Sequence, residues 1–315
     1  MHIVYLLLKI LFLLIVAILV IGFAYEQYAR YKAKSYQETG TFIDVGGYKL
    51  HYLKKGKGNP VVVFEAGLDP RGYLVWNKVQ NEVSKFTTTV SYDRAGILKS
   101  QRGNKVKTSE NIAKDLHLLL EKIDIKKPYI LVAHSMGGLS TRSYIKEFGD
   151  EVAGIIFVDA NNPGILKKAP EELKKYFQIN PPPLWLTKLF LNIGLTRVMV
   201  NNALNIDKEF LPEINAYLQN TTFGNRDEMA GYNMMLNDAK NISFGDKPYT
   251  VIAATKAENE IHKKVIKVIS EVHEESLRLS TKSKIIWANN SGHNVHLEHP
   301  DIVINAISSM IKGLL

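Results

Sequence analysis

Residues Lys127–Ser143 read KPYILVAHSMGGLSTRS, and this stretch decides the fold. The apolar run Tyr129-Ile130-Leu131-Val132 reads as a short strand buried on both faces. It breaks at Ala133-His134-Ser135-Met136-Gly137-Gly138, and a helical pattern carrying Leu139, Tyr144 and Ile145 follows. A serine at a sharp strand-to-helix turn is held in a strained backbone conformation, so the residues two positions to either side must be small. Ala133 and Gly137 meet that requirement. The turn lifts the Ser135 hydroxyl out of the sheet. The helix that follows points its first N–H groups at the oxygen on which negative charge would develop. A glycine-rich helix start with a serine cap would use similar residues, but the buried strand before the turn and the helix after it favour the nucleophile.

Outward from this turn, strands and helices alternate. Thr41–Val45 and Tyr48–Leu53 flank Gly46-Gly47 as a hairpin, and Val61–Phe64 is another buried strand. The loop Glu65-Ala66-Gly67-Leu68-Asp69-Pro70 follows that strand. Its Leu68 N–H is a candidate second donor to an oxyanion, with a plain turn the competing reading. Leu74–Val83 reads as a helix and Thr87–Tyr92 as a strand. Thr108 caps a helix whose apolar face carries Ile112, Leu116, Leu119 and Leu120. Val152–Val158 is a further buried strand ending at Asp159. Tyr249–Ala254, a helix from about Asn259 to Leu279, a strand at Lys284–Trp287 and a helix from Pro300 to Lys312 complete the series. This rhythm predicts a mostly parallel α/β sheet.

Two segments break the rhythm. Residues 161–246 are helical and rich in apolar side chains, with Pro181-Pro182-Pro183 as a breaker. Inserted at the carboxyl edge of the sheet, they are expected to form a cap over the crevice where ligands bind, although most of their apolar residues simply pack. Residues Ile3–Tyr25 are apolar apart from Lys9, which matches a bilayer-spanning helix. The organisation expected is therefore a transmembrane anchor at 1–25, a juxtamembrane linker or short helix at 26–39, and a catalytic domain at 40–315. The anchor is read as uncleaved, since no A-x-A site follows it. Arg30, Lys32 and Lys34 after the span, against Lys9 before it, form a bias too small to assign the side of the membrane.

The chain has 315 residues, no cysteine and a formal net charge of +9. Disulfides, thiolate metal sites and a cysteine nucleophile are excluded. The lysines are scattered, without an arginine stripe or interleaved aromatics, so the charge fits an anionic membrane surface better than nucleic acid. A serine needs a base. Among nine histidines, His293 stands in a loop after a strand, late in the chain, with His296 and His299 as rivals; His134 is too close to Ser135 to fold back on it.

Taken together, EAGLD at 65–69, YDRAG at 92–96, HSMGG at 134–138, VDA at 158–160 and SGHNVHLEHP at 291–300 resemble the α/β-hydrolase superfamily, in particular its bacterial esterase and monoacylglycerol-lipase-like branch. The resemblance spans about Phe42 to Ile311. It implies an eight-stranded sheet with a helical cap, Ser135 as nucleophile, His293 as base, and the backbones of Met136 and Leu68 as oxyanion donors. It implies no metal or organic cofactor. The chain departs from the pattern in its acid. The loop after the strand Tyr249–Ala254 reads TKAENE and carries no Asp. Asp159 is preferred, because a short carboxylate at a strand end is better fixed, with Glu258 as the alternative and Glu260 behind it. Leu98 also stands where many relatives carry Gly. The expected activity is cleavage of hydrophobic carboxylic esters at a cell membrane. Amide or peptide hydrolysis and acyl transfer are alternatives on the same residues; acidic cap residues such as Glu213 and Glu228 leave a pocket for a substrate amine open. A non-catalytic membrane-bound binding protein is the reading from a different class.

Overall fold

A computed structural model describes residues 1–36, 40–203, 206–240 and 242–314. The helix α1 (His2–Ala33) is followed by strands β1 (Thr41–Asp44), β2 (Lys49–Lys55) and β3 (Val61–Glu65), helix α2 (Asn77–Val83) and β4 (Thr89–Tyr92). Next come α3 (Ser109–Lys122), β5 (Tyr129–His134), α4 (Gly137–Phe148) and β6 (Val152–Val158). The segment between β6 and β7 (Tyr249–Ala254) holds α5 (Ile165–Lys168), α6 (Leu184–Asn192), α7 (Leu195–Ala203), α8 (Leu211–Ala216) and α9 (Leu218–Asp238). The chain closes with α10 (Glu260–Ser276), β8 (Ser283–Ala288), α11 (Val295–Glu298) and α12 (Pro300–Leu314).

The strands form one sheet in the order β1-β2-β4-β3-β5-β6-β7-β8, antiparallel only where β2 meets β1 and β4. Side chains alternate across it. Val61, Val63, Leu131 and Phe157 pack against Leu116 and Leu120 of α3 and Tyr144 of α4. Val62, Phe64, Val132 and Val158 pack on the other face against Val79 of α2 and Val303 and Ile307 of α12. Each such side chain withdrawn from water contributes roughly 1.5–3 kcal/mol. Both faces must therefore be apolar, which explains why the central strands are continuous hydrophobic runs. Thr108 caps α3 by accepting from the Asn111 N–H at 3.1 Å.

This topology selects one edge. Chain order reverses direction between β3 and β5, which leaves a crevice outside their carboxyl ends. The loops after β3, β5, β6, β7 and β8 all emerge there because those strands run parallel. The pairing of His134 with Val158 makes Ser135 and Asp159 leave the sheet side by side.

The α1 helix is long and apolar enough to cross a membrane by length and composition, and its apolar residues are exposed along the span. No separate linker begins at residue 26: the helix continues through Ala33, supported by an Arg30–Glu26 pair at i,i+4 spacing (2.9 Å). The end of the expected linker, residues 37–39, lies outside the described residues.

Candidate active site

Ser135 has φ +51°, the strained conformation expected at the turn. The space around it requires glycine at two points. A Cβ on Gly137 would stand 2.6 Å from the Ala66 oxygen, and one on Gly67 would stand 2.9 Å from the Ser135 Cβ. The loops after β3 and β5 therefore meet directly. Leu68 packs against the buried apolar cluster that holds Met136, Leu139 and Tyr232. Among the described residues, neither N–H donates to a backbone carbonyl in these loops.

A chain of hydrogen bonds runs from the serine. The Ser135 hydroxyl lies 2.9 Å from His293 Nε2, and His293 Nδ1 donates to Asp159 Oδ2 at 2.6 Å. The His293 side chain is 49 % exposed, open to the crevice, whereas Asp159 is buried. Burial alone would raise the Asp159 carboxyl. Hydrogen bonds from His273 and His293 outweigh it and hold Asp159 well below the usual carboxylate range. Burial works against the charged form of His293, but the bond and charge of Asp159 prevail and raise it above an ordinary histidine. An imidazole that accepts at Nε2 and is fixed at Nδ1 by a permanent carboxylate can take a proton from the serine and return it.

The loop bearing His293 is tied down before the histidine is reached. Thr255 and Lys256 donate their N–H groups to the Ser291 carbonyl at 3.2 and 2.9 Å, and the Gly292 N–H donates to Glu298 at 2.8 Å. His134 donates from Nε2 to the His293 carbonyl at 3.0 Å; burial, then the nearby His293, pushes its own value down to about 3, so it stays neutral. His296, the sequence rival, is fully buried between Trp76 and His134, and burial holds it well below an ordinary histidine. Among the described residues neither of its ring nitrogens has a hydrogen-bond partner, whereas His293 Nε2 meets the Ser135 hydroxyl.

Of the two acids, Asp159 meets His293. Glu258 is exposed on the loop after β7, and its N–H donates to His262 Nδ1 at 3.3 Å. The reason lies in the register: β6 stands next to β5, while β7 is one strand further from Ser135.

Two supports escaped the sequence. His273 of α10 is buried and donates from Nε2 to Asp159 Oδ1 at 3.1 Å, beside the Ala254 N–H at 3.2 Å. The polar edge of an otherwise amphipathic helix carries no signal for such a role. Arg94 of the YDRAG segment is also buried. It pairs with Glu228 of α9 at 2.7 and 2.9 Å and with Glu65 at 2.6 Å, and it donates to the carbonyls of Ala66 and Gly67. A single guanidinium thus joins the Leu68 loop to the cap. Glu228 is consumed by this pair, and Glu213 is held by Lys99 at 3.0 Å and by Tyr73 at 3.1 Å. Neither lines the cavity over Ser135. Leu98 has φ +37°, the left-handed conformation that favours glycine, and its N–H is held by the Thr221 hydroxyl at 2.9 Å.

The cavity over Ser135, Asp159 and His293 measures about 290 Å³. Its walls include Ile165, Phe177 and Tyr232 from the segment between β6 and β7, as expected of the cap. They also include Val265 and Ile269 of α10, which composition did not assign to the site.

Residues 59–300 match a family model described as alpha/beta hydrolase fold. The chain is 25 % identical over 258 residues to the uncharacterised protein YqjL of Bacillus subtilis, covering 81 % of this chain and 84 % of the relative. It spans 42 % and 52 % of the length of two further curated relatives. A thermophilic esterase from Thermogutta terrifontis superposes with a TM-score of 0.60 at 19 % identity, over 89 % of this chain and 99 % of the esterase. The Cif epoxide hydrolase from Acinetobacter nosocomialis does so with a TM-score of 0.68 at 18 % identity, over 92 % and 96 %. At such identities these structures speak for the fold alone. The chain belongs to the alpha/beta hydrolase fold family.

Proposed function

We propose that this chain is a membrane-anchored serine hydrolase that cleaves hydrophobic carboxylic esters through an acyl-enzyme. The observation that carries the reading is the unbroken run of hydrogen bonds from Ser135 through His293 to Asp159. In the first half-reaction Ser135 Oγ attacks the ester carbonyl while its proton passes to His293 Nε2. The tetrahedral oxyanion is met by the N–H groups of Met136 and Leu68. The carbon–oxygen bond to the alcohol breaks, and the alcohol leaves with the proton from His293. In the second half-reaction a water gives a proton to His293 and attacks the acyl carbon, and the acid departs as Ser135 is reprotonated. Asp159 stays charged and stabilises the imidazolium.

A mostly apolar cavity supports a hydrophobic acyl or alcohol group. A serine at this turn supports acyl transfer over reactions that use a carboxylate nucleophile. The long apolar α1 helix supports attachment to a membrane. The test is labelling by a fluorophosphonate probe in wild type, Ser135→Ala, Asp159→Asn and Glu258→Gln. Labelling is expected in wild type and Glu258→Gln, lost in Ser135→Ala and strongly slowed in Asp159→Asn. Labelling that survives Ser135→Ala would sink the mechanism, and best turnover on short polar esters would overturn the hydrophobic substrate.

A further inference from the structure

A second cavity, of about 410 Å³, shares no lining residue with the one over Ser135. Its walls include Leu186 and Phe190 of α6, Met199 and Val200 of α7, Met229 of α9, and Pro70 at the end of the Leu68 loop. It is thus an apolar groove that begins in a helical hairpin and reaches within two residues of a candidate oxyanion donor. The buried Asn225 Oδ1, which also lines it, has no hydrogen-bond partner among the described residues.

The hairpin is fastened to α1 at one height. A Cβ on Gly22 would stand 2.5 Å from the Ile193 oxygen, so helix and turn touch backbone to backbone. Arg197, in the first turn of α7, forks onto both carboxylate oxygens of Glu26 at 2.9 and 3.0 Å, and Glu26 is only 1 % exposed. Arg30 pairs with the same carboxylate and donates to Asn192 Oδ1 at 3.0 Å. These contacts fall where the apolar run of α1 ends and where exposed Tyr25, Tyr28 and Tyr31 begin, the level at which aromatic rings meet lipid headgroups. Phe190 and Thr196 flank the fastened turn, and both line the groove. Outside it the hairpin exposes Trp185 (67 %) and Val198.

We propose that this groove holds the hydrocarbon chain of a single-chain lipid ester drawn from the bilayer, and that it guides the ester to Ser135. The proposal rests on the reading of the protein as a membrane-anchored ester hydrolase and supplies its substrate class. The occupant follows from position: the apolar groove starts at the hairpin pinned to α1 where the apolar run of that helix ends, and it reaches Pro70, two residues from Leu68.

The test uses the full chain in phosphatidylcholine vesicles, with Thr222→Trp to fill the groove and Met199→Asp to make it polar. Neither residue belongs to the machinery around Ser135, and an unchanged fluorophosphonate labelling rate verifies that each variant is folded. Both variants are expected to lower kcat/KM on p-nitrophenyl palmitate about tenfold, the scale of lost methylene contacts in an apolar pocket, while turnover of the acetate ester holds. In parallel, a diazirine-tailed palmitate irradiated with the Ser135→Ala chain should attach to α6, α7 or α9, and Thr222→Trp should abolish those adducts. Equal loss on both esters, an unchanged chain-length profile, or adducts confined to α1 and the Ser135 cavity would overturn the proposal. So would a Thr222→Trp chain that changes oligomeric state without changing chain-length preference, which would assign the groove to a second copy of the chain. Adducts in the groove of a protein that neither labels nor turns over esters would sustain the lipid site while refuting the esterase reading.

Discussion

The floor and the roof of the crevice are built on different physics. In the floor, Ser135, Asp159 and His293 stand at the ends of strands whose register is set by backbone pairing. Their polar atoms are tied by His273, His134 and backbone N–H groups. In the roof, helices pack through apolar side chains and are fixed by buried ion pairs that include Arg94–Glu228 to the sheet and Arg197–Glu26 to α1. Changes in the floor should therefore affect chemistry with little effect on stability, and changes in the roof should do the reverse.

The largest expected effect is in the floor. Ser135→Ala should lower kcat on a good ester by about a millionfold, read by steady-state turnover, with an unfolding midpoint close to wild type. Asp159→Asn should cost about ten-thousandfold in kcat, and Glu258→Gln should leave kcat unchanged. The pH profile sharpens the same point. His293 works as a base only when neutral, and its value is raised. Activity should therefore rise as pH increases through an apparent pKa above the ordinary histidine value of about 6.5 and disappear below it. Asp159, held low, stays charged throughout that range. In Asp159→Asn the support for the imidazolium is gone, and the rising limb should move to lower pH; a limb that stays in place would show that His293 is not the titrating base.

The roof comes next. Removing one partner of a buried ion pair strands the other, at a cost of about 3–5 kcal/mol. Glu26→Gln should lower the thermal midpoint of the solubilised chain by that scale without changing the fluorophosphonate labelling rate. Glu26→Met with Arg197→Met should recover most of the loss, since neither charge is then left buried. A labelling rate that falls with Glu26→Gln would join roof and floor and break the comparison. The smallest effect is that of His273, which touches the floor only through Asp159. A hydrogen bond to a charged group contributes about 1.5–3 kcal/mol, so His273→Phe should lower kcat/KM about tenfold to a hundredfold. His273→Gln, which can still donate, should recover part of it with the rising limb of the pH profile back near wild type.

Most of the sheet was legible in the sequence. The strands at Val61, Tyr129, Val152 and Tyr249 are mostly apolar because both their faces are covered. The serine turn was legible because backbone strain allows only small neighbours, at Ala133 and Gly137. The choice between Asp159 and Glu258 was less so. Either carboxylate could follow a strand near the site, and the deciding fact is which strand lies beside β5. Between a linker and a helix after Tyr25 the sequence did not choose, because polar residues there fit either; Glu26 and Arg30 meet Arg197 and Asn192, more than 160 positions away.

By itself the sequence determined the alternating elements, the strained serine turn, the histidine late in the chain and the long apolar start, because each is written in local pattern: hydrophobic period, residue size, turn chemistry. The tertiary structure alone decided which acid faces His293, that His273 backs that acid, that Arg94 ties the Leu68 loop to the cap, and that the α6–α7 hairpin is pinned to α1. Those are pairings between distant segments, and a hydrogen bond or ion pair needs two groups within about 3 Å in a set direction, a condition that sequence spacing does not encode and only the assembled fold meets.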